Sequence, residues 1–372
     1  MTNILSKFVR PLYLNPDPYN ATHHDFAWKQ RDLARMMSNE CPIPPSARVQ
    51  RAVAEAFELG HLYPYSGQDL VQALASFNEV SPDSIVLGNG STEVLDVLIR
   101  ILVEPGDETI IASPTYAYFG NQTRINGGHT KAVPLLEGFV LDVEGILAAV
   151  SDRTKIIFLC SPNNPTGKGW SKSDVVRLLE TGIPVVIDQA YLECGYAESF
   201  AQLTQEYPNL VTARTMSKGF GLAALRVGYL IGDPSLMDIV QRVRIPFSIT
   251  LMSIWGCLAA LDEPGYLDER REFISSEADR LYKAMQQLPG VTAFPSDGNF
   301  VLADITATGC VVAEVVDTML AQRMLIRAMN AHGLEGSHIR VTVGTTVQND
   351  RFLASLAEQI DRLGAEAAGA LS

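Results

Sequence analysis

Thr215-Met216-Ser217-Lys218-Gly219-Phe220-Gly221-Leu222-Ala223-Ala224-Leu225-Arg226 combines one lysine, two hydroxyls, small residues and an arginine in an otherwise apolar region. An apolar run, Leu210-Val211-Thr212-Ala213, precedes it, and another, Val227 to Ile231, follows it. The pattern reads as strand, turn and strand. Lys218 is therefore expected at the carboxyl end of a buried strand, the edge where open α/β sheets bind ligands. An amine desolvated there loses proton affinity and becomes a nucleophile for carbonyl carbon. A lysine beside glycine is also common in plain loops, so the reading depends on what the rest of the chain brings to that edge.

Working outward, short apolar β-branched runs alternate with helical stretches. The runs are Ser84 to Leu87, Thr109 to Ala112, a weaker one at 130–133, Ile156 to Leu159, Pro184 to Ile187, Leu210 to Thr212 and Val227 to Ile231. That alternation predicts an α/β fold, with a mostly parallel seven-stranded sheet covered by helices on both faces. Helices are expected over 46–59, with Ser46 as N-cap, and over about 69–78, on either side of the aromatic turn His61-Leu62-Tyr63-Pro64-Tyr65. After Pro264-Gly265 comes a long helix, about 266–288. Short strands follow at Val291 to Phe294, Asn299 to Leu302, Leu325 to Arg327 and His338 to Val343, with helices over 311–322 and from about 349. Three parts are expected: an arm at 1–45 with little core of its own, a large domain at 46–262 and a smaller α+β domain at 263–372.

Composition narrows the function. The chain has 372 residues, 47% hydrophobic and 19% charged, which fits a folded enzyme rather than a disordered chain. A net charge of −13 with no basic run argues against a nucleic-acid partner. The five cysteines are scattered without a C-x-x-C pair, so neither a disulfide framework nor a metal site is expected. The first residues lack the apolar core of a secretory signal, and the stretch Ile249 to Leu261 is too short to span a bilayer, so no membrane association is expected and the location is read as cytoplasmic.

Other strand ends supply further chemistry. Gly88-Asn89-Gly90-Ser91-Thr92-Glu93 closes one strand and opens a helix expected over 94–103, where backbone amides favour a phosphate; Ser91 as a plain N-cap is the competing reading. Ser113-Pro114-Thr115-Tyr116 puts an aromatic at the same edge, to stack on a flat ring or simply to pack. In Cys160-Ser161-Pro162-Asn163-Asn164-Pro165-Thr166-Gly167 an asparagine amide is placed to donate to a ring oxygen. Asp188 ends a buried strand and needs a cationic partner or a helix-capping role, and Tyr191 lies three residues on. An acid, donors, a phosphate cradle and a lysine together match what pyridoxal phosphate requires.

With these motifs assembled, the chain resembles the fold-type I aminotransferases of class I and II, most of all the histidinol-phosphate aminotransferases. The motifs span nearly the whole length: Ser38-Asn39-Glu40 with Pro42, Tyr63-Pro64, Gly88 to Ser91, Pro114-Thr115-Tyr116, Ser161 to Gly167, Asp188 to Tyr191, Thr215 to Lys218 with Leu225-Arg226, Asn299-Phe300, Arg327, and Arg340 with Gly344-Thr345. The resemblance implies a homodimer with pyridoxal 5′-phosphate, exchanging an amino group between a small-molecule donor and a 2-oxo acid in a biosynthetic pathway. It implies that Lys218 bonds the cofactor and moves the proton, that Asp188 pairs the ring nitrogen, and that Asn164 and Tyr191 bind the ring oxygen. Asn89, Gly90, Ser91, Thr215, Ser217 and Arg226 would form the cofactor and phosphate cradle, joined by Tyr63 of the second subunit, with Tyr116 stacked on the ring. Tyr19, Asn164, Arg327 and Arg340 would face the substrate.

Some positions depart from the family pattern: Thr92, Gln189, Cys41, Ile43 and the segment from Arg327 to Gly336, where His332 and nearby His338 are further substrate candidates. Histidinol phosphate with 2-oxoglutarate is the expected pair. Aromatic or other amino donors, or a lyase or decarboxylase reaction on the same fold, remain alternatives.

Overall fold

The computed structural model describes residues 7–10, 13, 22–329, 334 and 336–369. Among the described residues the strands are β1 (Ala34–Arg35), β2 (Ile85–Asn89), β3 (Glu108–Ser113), β4 (His129–Pro134), β5 (Thr154–Cys160), β6 (Val185–Asp188), β7 (Leu210–Thr215), β8 (Val227–Ile231), β9 (Thr292–Phe294), β10 (Phe300–Asp304), β11 (Met324–Leu325), β12 (Arg327–Ala328) and β13 (His338–Thr342). Seven of them form one sheet in the order β2-β8-β7-β6-β5-β3-β4. The pairs from β7 through β6, β5 and β3 to β4 are parallel, and β8 runs antiparallel to β7 and β2. The chain therefore enters β8 at the edge where the other six strands end. Residues before β8 and after those strands meet there.

Side-chain alternation explains why the sheet is buried on both faces. Ile156 and Phe158 pack into one cluster with Val86, Val186, Val211 and Leu230. Their neighbours Ile157 and Leu159 point the other way, into a cluster with Ile110, Val185, Ile187 and Leu210. The outer end, β2 and β8, is covered by helices Ala47–Glu58, Gln68–Asn78 and Leu251–Leu261 around Leu87, Tyr229 and Ile231. Ser46 caps the first of these through Oγ to the Val49 amide.

The second sheet is antiparallel, in the order β12-β13-β10-β9, and packs against helices Tyr266–Met285, Val312–Ala321 and Thr346–Gly369. Two details differ from expectation. The run expected as one strand at 325–327 is split, because Met324–Leu325 pairs in parallel with Ala34–Arg35 while Arg327–Ala328 pairs with β13. The arm also contains a helix and a short strand that were not expected, both packed on the smaller sheet and its helices. Helix Thr22–Lys29 buries Ala27 with Leu33, Met37 and Leu325, and Met36 enters the core of the smaller sheet.

Candidate active site

Glycine makes the tightest part of the edge possible. Gly90, at φ 75°, opens helix Gly90–Leu102 beside Arg226, itself at φ 53°, and the Gly90 amide donates to the Arg226 carbonyl at 2.9 Å. A Cβ on Gly90 would collide with the Arg226 guanidinium, and one on Gly228 would overlap the Ser91 amide nitrogen. Asn89 is the N-cap, without a side-chain cap bond. The Ser91 hydroxyl is thus not the cap, a correction to that reading, and Glu93 folds back to accept from the Asn89 amide instead. Thr215 Oγ1 lies 2.9 Å from Ser217 Oγ, and Arg226 donates to Ser217 Oγ at 3.4 Å. Two buried hydroxyls, a guanidinium and a helix start whose N-cap side chain makes no cap bond are the groups that an anion cradle requires.

Beside it stands Lys218. Its Nζ donates to the Ser38 carbonyl at 2.9 Å and lies 5.7 Å from the Tyr191 ring centroid. Burial, then the neighbouring charge of Arg340, pulls the amine down to about 8, which brings its unprotonated form much closer to neutral pH than for an ordinary lysine. Asp188, at the end of β6, is 3% exposed, and Oδ1 accepts from the Ala190 amide at 3.0 Å. Among the described residues no basic side chain pairs with it. Burial raises its carboxyl to about 6. The amide it holds belongs to a turn rather than to a helix, so the capping reading does not apply.

The two expected oxygen ligands are each half used. The Tyr191 hydroxyl accepts from Asn39 Nδ2 at 3.0 Å, which leaves its own proton to give. Asn164 Oδ1 accepts from Arg340 at 2.5 Å, which leaves the Asn164 NH2 to donate. Burial also pushes the Tyr191 phenol upward, so it stays protonated. Arg340 further donates to the Met37 carbonyl at 2.7 Å and lies over Phe300. Arg327 is its register partner across β12 and β13, and faces His23 Nε2 at 3.3 Å.

Tyr116 is half-buried, stacked on Tyr118 and edge-on to Phe119. Tyr63 is 85% exposed, with its ring against Phe247, and makes none of these contacts. His338 packs at the far end of β13 toward Asp304. Tyr19 and His332 lie outside the described residues.

Several residues that hold the site together were not singled out from sequence for that part. Asn39, at φ 54°, holds Tyr191 and receives bonds from Thr342 and Asn299, so the arm locks onto the smaller domain directly over Lys218. Asn163 ties two loops, donating to the Pro114 carbonyl and accepting from Thr115. His23 and His24, 4.3 Å apart, stand over the same mouth. Two sequence signals touch Asn39: its place in the Ser38-Asn39-Glu40 motif, and its type, since asparagine tolerates positive φ.

These residues fit a phosphorylated pyridine aldehyde: a cradle for its phosphate, an uncompensated carboxyl for its nitrogen, two free donors for its oxygen and an amine for its carbonyl. Among the described residues no group of His, Cys, Asp and Glu is arranged to hold a metal.

The fold is that of the fold-type I aminotransferases. The histidinol-phosphate aminotransferase of Sinorhizobium meliloti, solved in complex with pyridoxal-5′-phosphate, superposes with a TM-score of 0.86 at 27% identity, covering 95% of this chain and 98% of that one. The sequence pattern "Aminotransferase class I and II" matches residues 31–356. Histidinol-phosphate aminotransferases of Methanothermobacter thermautotrophicus and Symbiobacterium thermophilum are 33% and 36% identical, over 90% and 87% of this chain and 91% and 90% of theirs. The chain belongs to the class I and II aminotransferases.

Proposed function

We propose that this chain transfers the amino group of histidinol phosphate to 2-oxoglutarate, giving imidazole acetol phosphate and glutamate, with pyridoxal 5′-phosphate as cofactor. The observation that carries the reading is one short edge holding Lys218, Asp188 and the Gly90–Arg226 cradle, with Arg327 and Arg340 side by side above it. Pyridoxal phosphate supplies an aldehyde that bonds amines and a protonated ring that draws electrons from the donor's α-carbon. Asp188 keeps that ring nitrogen protonated, and its own carboxyl, raised by burial, returns to the charged form beside a cation. Tyr191 and Asn164 donate to the ring oxygen, each held by its outer partner, Asn39 or Arg340. Arg226, Ser217, Thr215 and the first amides of helix Gly90–Leu102 anchor the phosphate, and Tyr116 covers the ring. Lys218 Nζ would carry the proton from the donor's α-carbon to the cofactor's C4′, and in the second half of the cycle from C4′ to the α-carbon of the acceptor. Arg340 and Arg327 bind the anionic groups of donor and acceptor.

The same reading makes the protein a homodimer of histidine biosynthesis in the cytoplasm, with Tyr63 completing the partner's phosphate cradle. The exposed ring pair Tyr63 and Phe247, with Leu62 and Ile245 nearby in sequence, supports this, since such apolar surface favours cover. No helix among the described residues is long and apolar enough to cross a membrane.

Adding amino donors singly, without oxo acid, while following the cofactor's visible absorbance tests the substrate. Histidinol phosphate should bleach the band at the lowest concentration. Bleaching by aromatic amino acids alone would remove the histidine assignment and keep the transaminase.

A further inference from the structure

Arg327 is half-buried, and among the described residues no carboxylate lies within ion-pair distance of it. Its polar partner is the imidazole of His23, whose Nε2 stands 3.3 Å from the guanidinium. A guanidinium only donates, so a hydrogen bond between the two uses the Nε2 lone pair that a neutral His23 offers. Among the described residues, the charged and titratable neighbours that act on this imidazole are basic: His24 on its own helix, Arg327 on β12, Arg35 on β1 and Arg340 on β13. Burial first, and then these neighbours, hold it down at about 4. Arg35 is already neutralised by Glu40, through two bonds of 2.7 Å. His24 bridges toward the reacting amine, 3.3 Å from Ser38 Oγ, while the Ser38 carbonyl accepts from Lys218. One end of this cluster touches the lysine, and the other is a cation whose polar contact is a neutral base.

Resting on the function proposed above, we propose that His23 is a specificity-determining residue for the donor's distal group. When a dianion enters, the Arg327 N–H turns from Nε2 to an anion oxygen. His23 then takes one proton from solvent at Nε2 and donates it to the same dianion. The site thereby gains a second cationic donor only with a doubly charged ligand. A neutral or singly charged end leaves the imidazole unprotonated and Arg327 bound to it. The matching ligand chemistry is a phosphate monoester at the far end of an amine, not a carboxylate or an aromatic ring.

The test uses the holoenzyme with histidinol phosphate and with histidinol, which differ only by the phosphate. H23Q keeps an acceptor for Arg327 but cannot become a cation, and H23A removes both. Both variants should raise KM for histidinol phosphate by about tenfold or more, as loss of a charged hydrogen bond does, while KM for histidinol rises far less. A second readout is proton uptake when propyl phosphate, dianionic at about pH 8, binds the holoenzyme; wild type should take up protons and H23Q should not. An unchanged KM for histidinol phosphate in both variants, an equal rise for both donors, or unaltered proton uptake in H23Q would overturn the inference and leave the proposed reaction standing. If wild type makes no distinction between histidinol phosphate and histidinol, both fall together.

Discussion

Lys218 and Asp188 are shifted by the same force with opposite consequences, because burial disfavours whichever form is charged. For the lysine, charge is lost near pH 8, so in cofactor-free protein its reactivity toward an amine-labelling reagent should rise through about pH 8, not through the ordinary lysine range. Arg340→Met removes a contributing cation, and the labelling midpoint should move upward; a midpoint unchanged in the variant counts against this electrostatic account. Lys218→Ala should abolish amino transfer, and wild-type turnover by it would end the mechanism. For Asp188, the folded protein holds the proton more tightly than the unfolded chain, near 6 against an ordinary 3.8. Its contribution to the cofactor-free protein is thus present in acid and lost as pH rises through 6. Asp188→Asn should therefore stabilise the cofactor-free protein at about pH 8 by roughly 1–3 kcal/mol, and much less at about pH 4, while turnover falls more than about 100-fold. Thermal unfolding at the two pH values reads the first effect, and an Asn variant less stable at the higher pH would contradict it.

At the scale of elements, two glycines on adjoining segments separate binding from folding. Alanine at Gly90 meets the end of a flexible arginine, which moves aside at the expense of the cradle. We expect Gly90→Ala to fold with a stability loss of about 1 kcal/mol, because its φ of 75° strains any Cβ, and with pyridoxal-phosphate affinity reduced about tenfold or more by absorbance titration. Alanine at Gly228 meets backbone at the start of helix Gly90–Leu102, which cannot yield without parting the helix from β8. Gly228→Ala should cost about 2 kcal/mol or more of stability, seen as a lowered melting temperature. Equal stability losses in the two variants would mean that the Gly90 contact is structural.

At the scale of the whole molecule, the proposed homodimer would bring in a second copy. If Tyr63 serves the partner's cradle, Tyr63→Ala and Lys218→Ala variants should each be impaired alone. Mixed after reversible dissociation they should recover about a quarter of wild-type activity, since half the dimers then carry one intact site. No recovery, with exchange verified by light scattering and mass, would place Tyr63 in its own subunit's site or outside the site.

Much of this protein can be read along the chain. Short continuous apolar, β-branched runs and punctuating glycines and prolines mark the strands, because each pattern is local and the inner strands are buried on both faces, while the exposed edge strand β4 gives the weaker run. The site motifs are legible for a related reason: each follows its strand by a few residues, so placing the strand places the motif. Distance in sequence is what hid the rest. Asn39 meets Tyr191, Thr342 and Asn299, and His23 meets Arg327, across separations that no local pattern encodes. The arm's short strand and helix contain few residues and gain their stability from β11 and the smaller domain, so no periodicity announced them. Chain order alone determined which chemical groups stand at the sheet edge. Tertiary packing decided which of their lone pairs and protons are already taken, because that depends on neighbours contributed by the arm and by β13.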